Sequence, residues 1–547
     1  MIKIRSRSRS RRLPAALLGA LAIVVSLSGA AGAAQSPAEP SADPVGCSTD
    51  ALRASLHIDQ VTVTRAEVNT TGKFTPSAGV ESQFGGPFTG LPAYCDVTLT
   101  QTDSANNHVT IKMWLPDRWN GRFQGVGGGG FACGINYGLM ATALNNGYAS
   151  ASTNCGHDNS WLDGSFALNA DRTLNHPLID TFASVGIHDM TVTGKAVTST
   201  YYARNPAYSY FNGCSNGGRM GLMEAQRYPD DYDGIASGAP ATNLTRFIPA
   251  LIWPQLVMKE THDVLPTCKQ QAFKEAVVKA CDRLDGVTDG VIGNPDACHW
   301  NANRLIGLKT ACGTITRTDS AVMAKILQGP RSNGRFLWYG LEKGAALSYL
   351  GTVTTTDGVT TGQPMPLTTT WLGTWLQRNP DWDWHTLTYD RFTQLFNQGV
   401  REFSSTLASD NPDLSAFREN GGKIVLWHGL ADPLIFPQGT VNYYQRVQQA
   451  SGGAATTNSF ARLFLAPGAE HCAGGAGPAP SDPLAAVVNW VEHGQAPKTL
   501  PAALTDPSTH KVTLTRTLCA YPLVARYTGR GDTTDARNYR CAADYAG

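Results

Sequence analysis

Two candidate reactive residues each stand beside a cysteine: Cys214-Ser215 and, far downstream, His471-Cys472. A disulfide between those cysteines would hold a hydroxyl and an imidazole from distant parts of the chain within reach of one hydrogen bond. Few folds can satisfy that demand. The segment Gly213-Cys214-Ser215-Asn216-Gly217 also fits G-x-S-x-G, between a strand-like run Tyr208 to Asn212 and a helix-like run Gly218 to Tyr228. A serine on so sharp a strand-to-helix turn tolerates only small neighbours, and its hydroxyl is left exposed above the sheet. The pentapeptide alone also describes an ordinary glycine-rich turn, and the strand-turn-helix context separates the two readings.

The surrounding grammar is that of an α/β fold with a parallel sheet. His108 to Leu115 alternates like a half-buried strand, Arg122 to Val126 runs into four glycines (Gly127 to Gly130), and Tyr148 to Ser152 reads as a further strand before a helix at His188 to Ala203. Later, Lys423 to Trp427 and Arg462 to Leu465 are strands entering His428-Gly429 and Pro467-Gly468, and Asp482 to His493 reads as a helix. Between the two stretches the pattern breaks into Trp- and Pro-containing irregular segments. The expected organisation is therefore a first core part at 35–240, an inserted lid domain at 241–420, and a second core part at 421–547. An insertion after the nucleophile strand emerges at the carboxyl edge of the sheet, where ligands bind in open sheets.

Residues 1–34 carry an arginine-serine run, an apolar run from Leu13 to Leu27 and a small-residue stretch ending at Ala33-Ala34, the pattern of a cleavable export signal. The apolar run is short for a membrane anchor. Arg11-Arg12 suggests twin-arginine export, while Pro14 leaves the general secretory route open. Removing this segment takes away six Lys/Arg and no Asp/Glu, turning the formal charge of +1 into −5. An acidic mature chain is a poor partner for nucleic acid, and no second apolar stretch approaches spanning length. The twelve cysteines are even in number, form no CxxC pair and can oxidise after export, which argues for disulfides over structural zinc.

A serine nucleophile needs a base, and the base an orienting carboxylate. In α/β-hydrolases the chain order is Ser, then Asp or Glu, then His. Asp432 and His471 follow predicted strands in that order. His428 is a rival base, but it precedes the acid and its position suits packing beneath the site; His157 and His188 read as structural. For the tetrahedral oxyanion, the N–H of Asn216 is one expected donor, and the Gly127 to Gly130 loop supplies the second, assigned to Gly129.

With these residues in place, the chain resembles the tannase and feruloyl esterase family, which also contains mono(2-hydroxyethyl) terephthalate hydrolases. The resemblance spans most of the mature chain. It is carried by Gly127 to Phe131, Ala151 to His157 with Leu162-Asp163-Gly164, His188-Asp189-Met190, Gly213 to Arg219, Gly429 to Pro433 with Pro437-Gln438-Gly439, and Pro467 to Cys472 with Gly474-Gly475. It implies an α/β-hydrolase core with a lid, Ser215, Asp432 and His471 as triad, and disulfides Cys214–Cys472, Cys47–Cys95, Cys281–Cys298 and Cys519–Cys541. Cys133 and Cys155 each follow a strand feeding the site and are expected to pair, which leaves Cys268 with Cys312. The substrate class implied is esters of aromatic carboxylic acids, including those attached to plant polysaccharide or polyphenol.

An Asp-Gly-rich loop between Cys281 and Cys298 reads on residues alone as a solvated acidic turn. The resemblance makes it a structural calcium site in the lid, with Asp282, Asp285 and Asp289 side chains and the Val287 and Val291 carbonyls as ligands; oxygen donors of this kind suit a hard cation. No organic cofactor is expected. Asn216 stands where resemblance to the terephthalate-monoester enzymes calls for an acidic residue, which favours feruloyl, other hydroxycinnamoyl or galloyl esters. Trp371, Trp375, Trp382, Trp384 and Phe436 are candidates to stack on the acyl group, or else lid core, and Arg378 is a candidate for a substrate carboxylate. A non-catalytic secreted binding protein on a hydrolase scaffold and a serine peptidase are the competing classes.

Overall fold

Strands rich in Val, Ile and Leu on both faces are stable only when both faces are covered, and Lys423–Gly429 meets that condition with Ile424, Val425 and Leu426 almost fully buried. It belongs to a nine-stranded sheet in a computed structural model that describes residues 45–543 apart from 104, 507 and 510. The export signal expected at 1–34 lies outside the described residues.

In chain order the strands are β1 (Val61–Asn69), β2 (Tyr94–Thr102), β3 (His108–Pro116), β4 (Arg122–Val126), β5 (Ala149–Thr153), β6 (Tyr208–Cys214), β7 (Gly234–Gly238), β8 (Lys423–Gly429) and β9 (Ala461–Ala466). Their spatial order is β1-β2-β3-β5-β4-β6-β7-β8-β9. Pairings from β5 through β9 are all parallel, and those from β1 to β5 along the first edge are antiparallel. This is an α/β-hydrolase-type core, as expected. The predicted strands are each present to within a residue or two.

Five helices flank the sheet or the site: α1 (Gly186–Tyr202), α2 (Asn216–Arg227), α3 (Tyr389–Leu407), α4 (Pro437–Ala450) and α5 (Pro483–His493). The sheet's two faces carry separate cores, because successive strand residues point to opposite sides. Phe211, Ile235, Ile424 and Leu426 face one; Tyr210, Ala236, Val425 and Trp427 face the other, with Val487 and Trp490 of α5.

No strand of this sheet comes from 239–422. That segment is helices and short hairpins, and it contributes Phe247, Ile248 and Met365 to the wall of a cavity at the carboxyl edge. All six expected cysteine pairs are bonded: Cys47–Cys95, Cys133–Cys155, Cys214–Cys472, Cys268–Cys312, Cys281–Cys298 and Cys519–Cys541.

Candidate active site

Because β4, β6, β8 and β9 run parallel, the loops that follow them emerge at one edge. They deliver the glycine loop, Ser215, Asp432 and His471 respectively. Ser215 takes φ 63° and ψ −124°, a conformation unfavourable for a residue with a side chain. Three backbone bonds fix it: its N–H donates to the Gly238 carbonyl at 3.0 Å, and its own carbonyl accepts from Arg219 N–H at 3.0 Å and from Ala241 N–H at 3.1 Å. Close backbone approach explains two of the glycines. A Cβ on Gly217 would lie 2.9 Å from the Gly128 carbonyl oxygen, and one on Gly213 would meet the Gly217 carbonyl group at 2.6 Å.

His471 Nδ1 lies 2.7 Å from Asp432 Oδ2, and the side chain is 17 % exposed. Asp432 is fully buried yet fully partnered. Its Oδ1 accepts from the N–H groups of Leu434 (2.8 Å) and Ile435 (2.9 Å), and Oδ2 also accepts from His428 Nε2 at 3.1 Å. Burial alone would raise this carboxyl; the facing His471 charge and the bonds from His428 and His471 outweigh it and hold Asp432 well below the usual carboxylate range. His428 Nε2 faces two acceptors, Asp432 and the Ile435 carbonyl at 2.8 Å, so it carries the proton, while Nδ1 meets the Thr440 hydroxyl at 2.8 Å. His428 is thus a fully engaged brace beneath Asp432.

The Cys214–Cys472 bond, with Cα atoms 5.9 Å apart, couples the residue before Ser215 to the residue after His471. Ser215 and His471 both line a cavity of about 640 Å³, a size ordinary for a small-molecule site. Its walls are mostly apolar, with Phe84, Phe131, Trp161, Phe247 and Trp427 supplying the aromatic surface. Among the described lining residues none is Lys or Arg.

The glycine loop differs from expectation at one position. Gly129 spends its N–H on the Cys133 carbonyl at 2.8 Å, and Gly127 donates to Asn212 at 3.1 Å, so neither amide is free for an oxyanion. The correction follows from an isolated bridge between Gly129 and Cys133 that a run of four glycines does not reveal. Among the described residues, Gly128 and Gly130 are left as the loop's amides without a backbone acceptor, as is Asn216 at the first position of α2, where a helix N–H has no partner of its own.

The candidate stacking residues are also relocated. Trp371 and Trp375 are fully buried, packed against Phe403, and Trp375 donates to the Gly164 carbonyl at 3.0 Å; with Trp382, Trp384 and Phe436 they are absent from the cavity wall. Arg378 pairs with Glu402 and is likewise off the wall. Phe84 and Trp161 take their place. Phe84 ends a single helical turn, Val80–Phe84, and Trp161 lies in a turn, and neither belongs to a periodic run that would mark it as a wall residue.

In the acidic loop, Asp282 accepts from the N–H groups of Asp289 and Gly290, both at 3.1 Å, and Asp285 from that of Val287 at 3.0 Å. Burial, with the charges of Asp289 and Asp282 adding to it, pushes the Asp285 carboxyl up to about 6. A divalent cation would relieve that crowding, and the all-oxygen donor set suits calcium, although Arg516 already pairs with Asp289. Among the described residues, the acidic and histidine atoms that converge within 4.8 Å are elsewhere, at His188, Glu224 and Asp231. That cluster has local partners of its own: Lys195 donates to the Asp231 backbone carbonyl, His188 Nδ1 lies 2.6 Å from Asp231 Oδ2, and burial, then Asp231, raises the Glu224 carboxyl well above the usual range. His188 is therefore structural, and so is His157, stacked on Phe166 and kept neutral by burial.

Residues 95–542 match the model of the family described as tannase and feruloyl esterase. A probable feruloyl esterase of Arthroderma benhamiae is 45 % identical over 82 % of this chain and 86 % of its own length. The mono(2-hydroxyethyl) terephthalate hydrolase of Piscinibacter sakaiensis is 31 % identical over 83 % of this chain and 85 % of its own. Among solved structures, feruloyl esterase B from Aspergillus oryzae superposes with a TM-score of 0.78 at 27 % identity, covering 90 % of this chain and 99 % of that one.

Proposed function

Since the chain belongs to the tannase and feruloyl esterase family and is a carboxylic ester hydrolase of feruloyl esterase type, we propose that it cleaves hydroxycinnamoyl or galloyl esters through an acyl-enzyme on Ser215. His471 Nε2 takes the hydroxyl proton as Ser215 Oγ attacks the ester carbonyl. Asp432 fixes the imidazole through Nδ1 and stabilises the imidazolium. The tetrahedral oxyanion is held by the N–H of Asn216 and by that of Gly128 or Gly130. Collapse expels the alcohol with the proton from His471. Water then attacks the acyl-enzyme, giving its proton to the same nitrogen, and the second tetrahedral adduct collapses to free the aromatic acid as His471 returns that proton to Ser215 Oγ.

The observation that carries this reading is the opening of Ser215 and His471 onto one apolar cavity without a cationic wall residue. A neutral aromatic acyl group buries its ring there at no electrostatic cost. A terephthalate monoester brings a carboxylate, and desolvating it without a partner costs several kcal/mol. That weighs against the alternative, a mono(2-hydroxyethyl) terephthalate hydrolase. A steady-state panel of methyl ferulate, methyl gallate and a terephthalate monoester is the test: kcat/KM should favour a neutral ester by at least ~10²-fold. Equal or better turnover of the terephthalate monoester overturns the substrate assignment.

The segment 241–420 acts as a lid that shapes the acyl pocket, in keeping with the residues it lends to the cavity wall. Its acidic loop would hold calcium through Asp282, Asp285, Asp289 and the Val287 and Val291 carbonyls, where the ion would cross-brace the loop. The protein acts outside the cell, a reading supported by six disulfides. No helix of the described residues is long and apolar enough to cross a membrane.

A further inference from the structure

Arg219 is the largest charged side chain with no exposure at all, and among the described residues it has no carboxylate partner. Burying an unpaired guanidinium is costly, and a structural filler at this point of α2 would be apolar. The charge is nevertheless well held. Nη1 donates to the Ala183 carbonyl at 2.7 Å, Nη2 to the Phe182 carbonyl at 2.8 Å, and Nε to Asn216 Oδ1 at 2.6 Å. The two carbonyls belong to a π-helical turn, Thr181–Val185, that leads into α1; such turns are frequent at functional sites. Burial lowers the guanidinium to about 9, so it stays charged at neutral pH.

Of the three partners, Asn216 lines the cavity itself, and Phe182 and Ala183 lie behind it, off the cavity wall. Asn216 opens α2 with its N–H unspent, one turn ahead of Arg219. Phe182 lies under the guanidinium, 4.8 Å from ring centroid to Cζ, and packs 6.0 Å from Phe131, which directly follows the glycine loop. One side chain therefore links the helix N-terminus to the loop that faces it.

We propose that Arg219 is a positioning residue for the oxyanion site: its Nε fixes Asn216, its fork anchors that residue to the Thr181–Val185 turn, and its uncompensated charge strengthens the positive end of α2. The field of a helix N-terminus falls off within its first turn, which is where this charge sits. The effect is greatest when negative charge develops on the substrate oxygen, so the transition state gains more than the bound ester. The proposal rests on Ser215 as the nucleophile.

The test compares Arg219→Lys, Arg219→Met and Asn216→Ala in the full-length enzyme. It reads kcat and KM on methyl ferulate, inhibition by an aryl boronic acid that forms a tetrahedral adduct on serine, and inhibition by ferulic acid as a ground-state ligand. Arg219→Met should lower kcat by roughly 10²-fold with KM nearly unchanged, and weaken the boronic acid by a similar factor while sparing ferulic acid. Arg219→Lys keeps the charge and one bond, and should recover part of the loss. The double variant Arg219→Met/Asn216→Ala should lose little more than Arg219→Met, because the two act as one unit. If Arg219→Met does not fold, Asn216→Ala carries the test, with a roughly 10-fold kcat loss expected. Folded variants whose kcat and boronic acid affinity match wild type overturn the proposal, as does a loss shared equally by boronic and ferulic acid. Ser215→Ala separates the two claims: if it keeps wild-type turnover, the nucleophile reading fails; if it is inactive while the Arg219 variants are not, only this proposal fails.

Discussion

Replacing both members of the Cys214–Cys472 pair by alanine perturbs stability and catalysis through different physics, and the two effects can be separated. The bond closes a loop with a sequence separation of 258. The chain-entropy relation gives about 5 kcal/mol for such a loop, and the nested Cys268–Cys312 bond shortens the free path too little to change a logarithm much. Engineered and native bonds often deliver less, so about 3 to 5 kcal/mol is the expected loss, seen as a lower midpoint in chemical denaturation. The catalytic effect is local. Ser215 has φ 63° and Cys472 has φ 61°, conformations that cost a non-glycine residue roughly 1–2 kcal/mol each and persist only under restraint. Without the bond, position 472 is released to relax and carries His471 with it, and a displacement near 1 Å is enough to cost ~10²-fold. The assay is kcat on methyl ferulate under conditions where near-ultraviolet circular dichroism shows the variant fully folded. A kcat reduced at least 10-fold with KM little changed is expected. A folded variant with kcat within twofold of wild type refutes the local role and leaves the bond a staple.

Three further outcomes rest on the same contacts. Asp432→Asn should lower kcat by ~10³-fold or more, because donors face both of its oxygens, and an amide accommodated there can bond His471 only in the tautomer that is no base; steady-state rates above pH 7 check it. Glu224→Gln should leave stability unchanged near pH 4 and raise it increasingly at higher pH, since a carboxyl whose folded pKa is raised loses stability as pH climbs from its unfolded value toward the folded one. The slope is about 1.4 kcal/mol per pH unit in that window, and denaturant midpoints from pH 4 to 8 measure it. Chelation should lower the melting temperature with kcat at 25 °C nearly preserved, since the acidic loop is absent from the catalytic cavity wall; an unchanged melting temperature counts against calcium there.

The strands that carry the site were legible because each is short, mostly apolar or aromatic and runs into Gly or Pro, most clearly at Lys423–Gly429, and the cysteines beside Ser215 and His471 gave a distance restraint. The antiparallel edge was harder to read. Val61–Asn69 alternates with Thr, Arg and Glu, and its partner Tyr94–Thr102 lies more than twenty residues on, so no local turn announces the pair. Aromatic residues misled, because Trp371 and Trp375 have the same composition whether they fill a core or line a pocket; burial by Phe403 and Phe131 decides it. The choice among four glycines turned on one bond to Cys133. Arg219 was visible only as part of a motif, since two of its three acceptors are backbone carbonyls 36 and 37 residues away.

Acid-quenched turnover of methyl ferulate, followed by peptide mass mapping, tests the assignment most directly. A feruloyl group on the peptide containing Ser215, accumulating in a burst before steady state and absent from Ser215→Ala, is the predicted result. Turnover without any adduct on that peptide, persisting undiminished in Ser215→Ala, would contradict it.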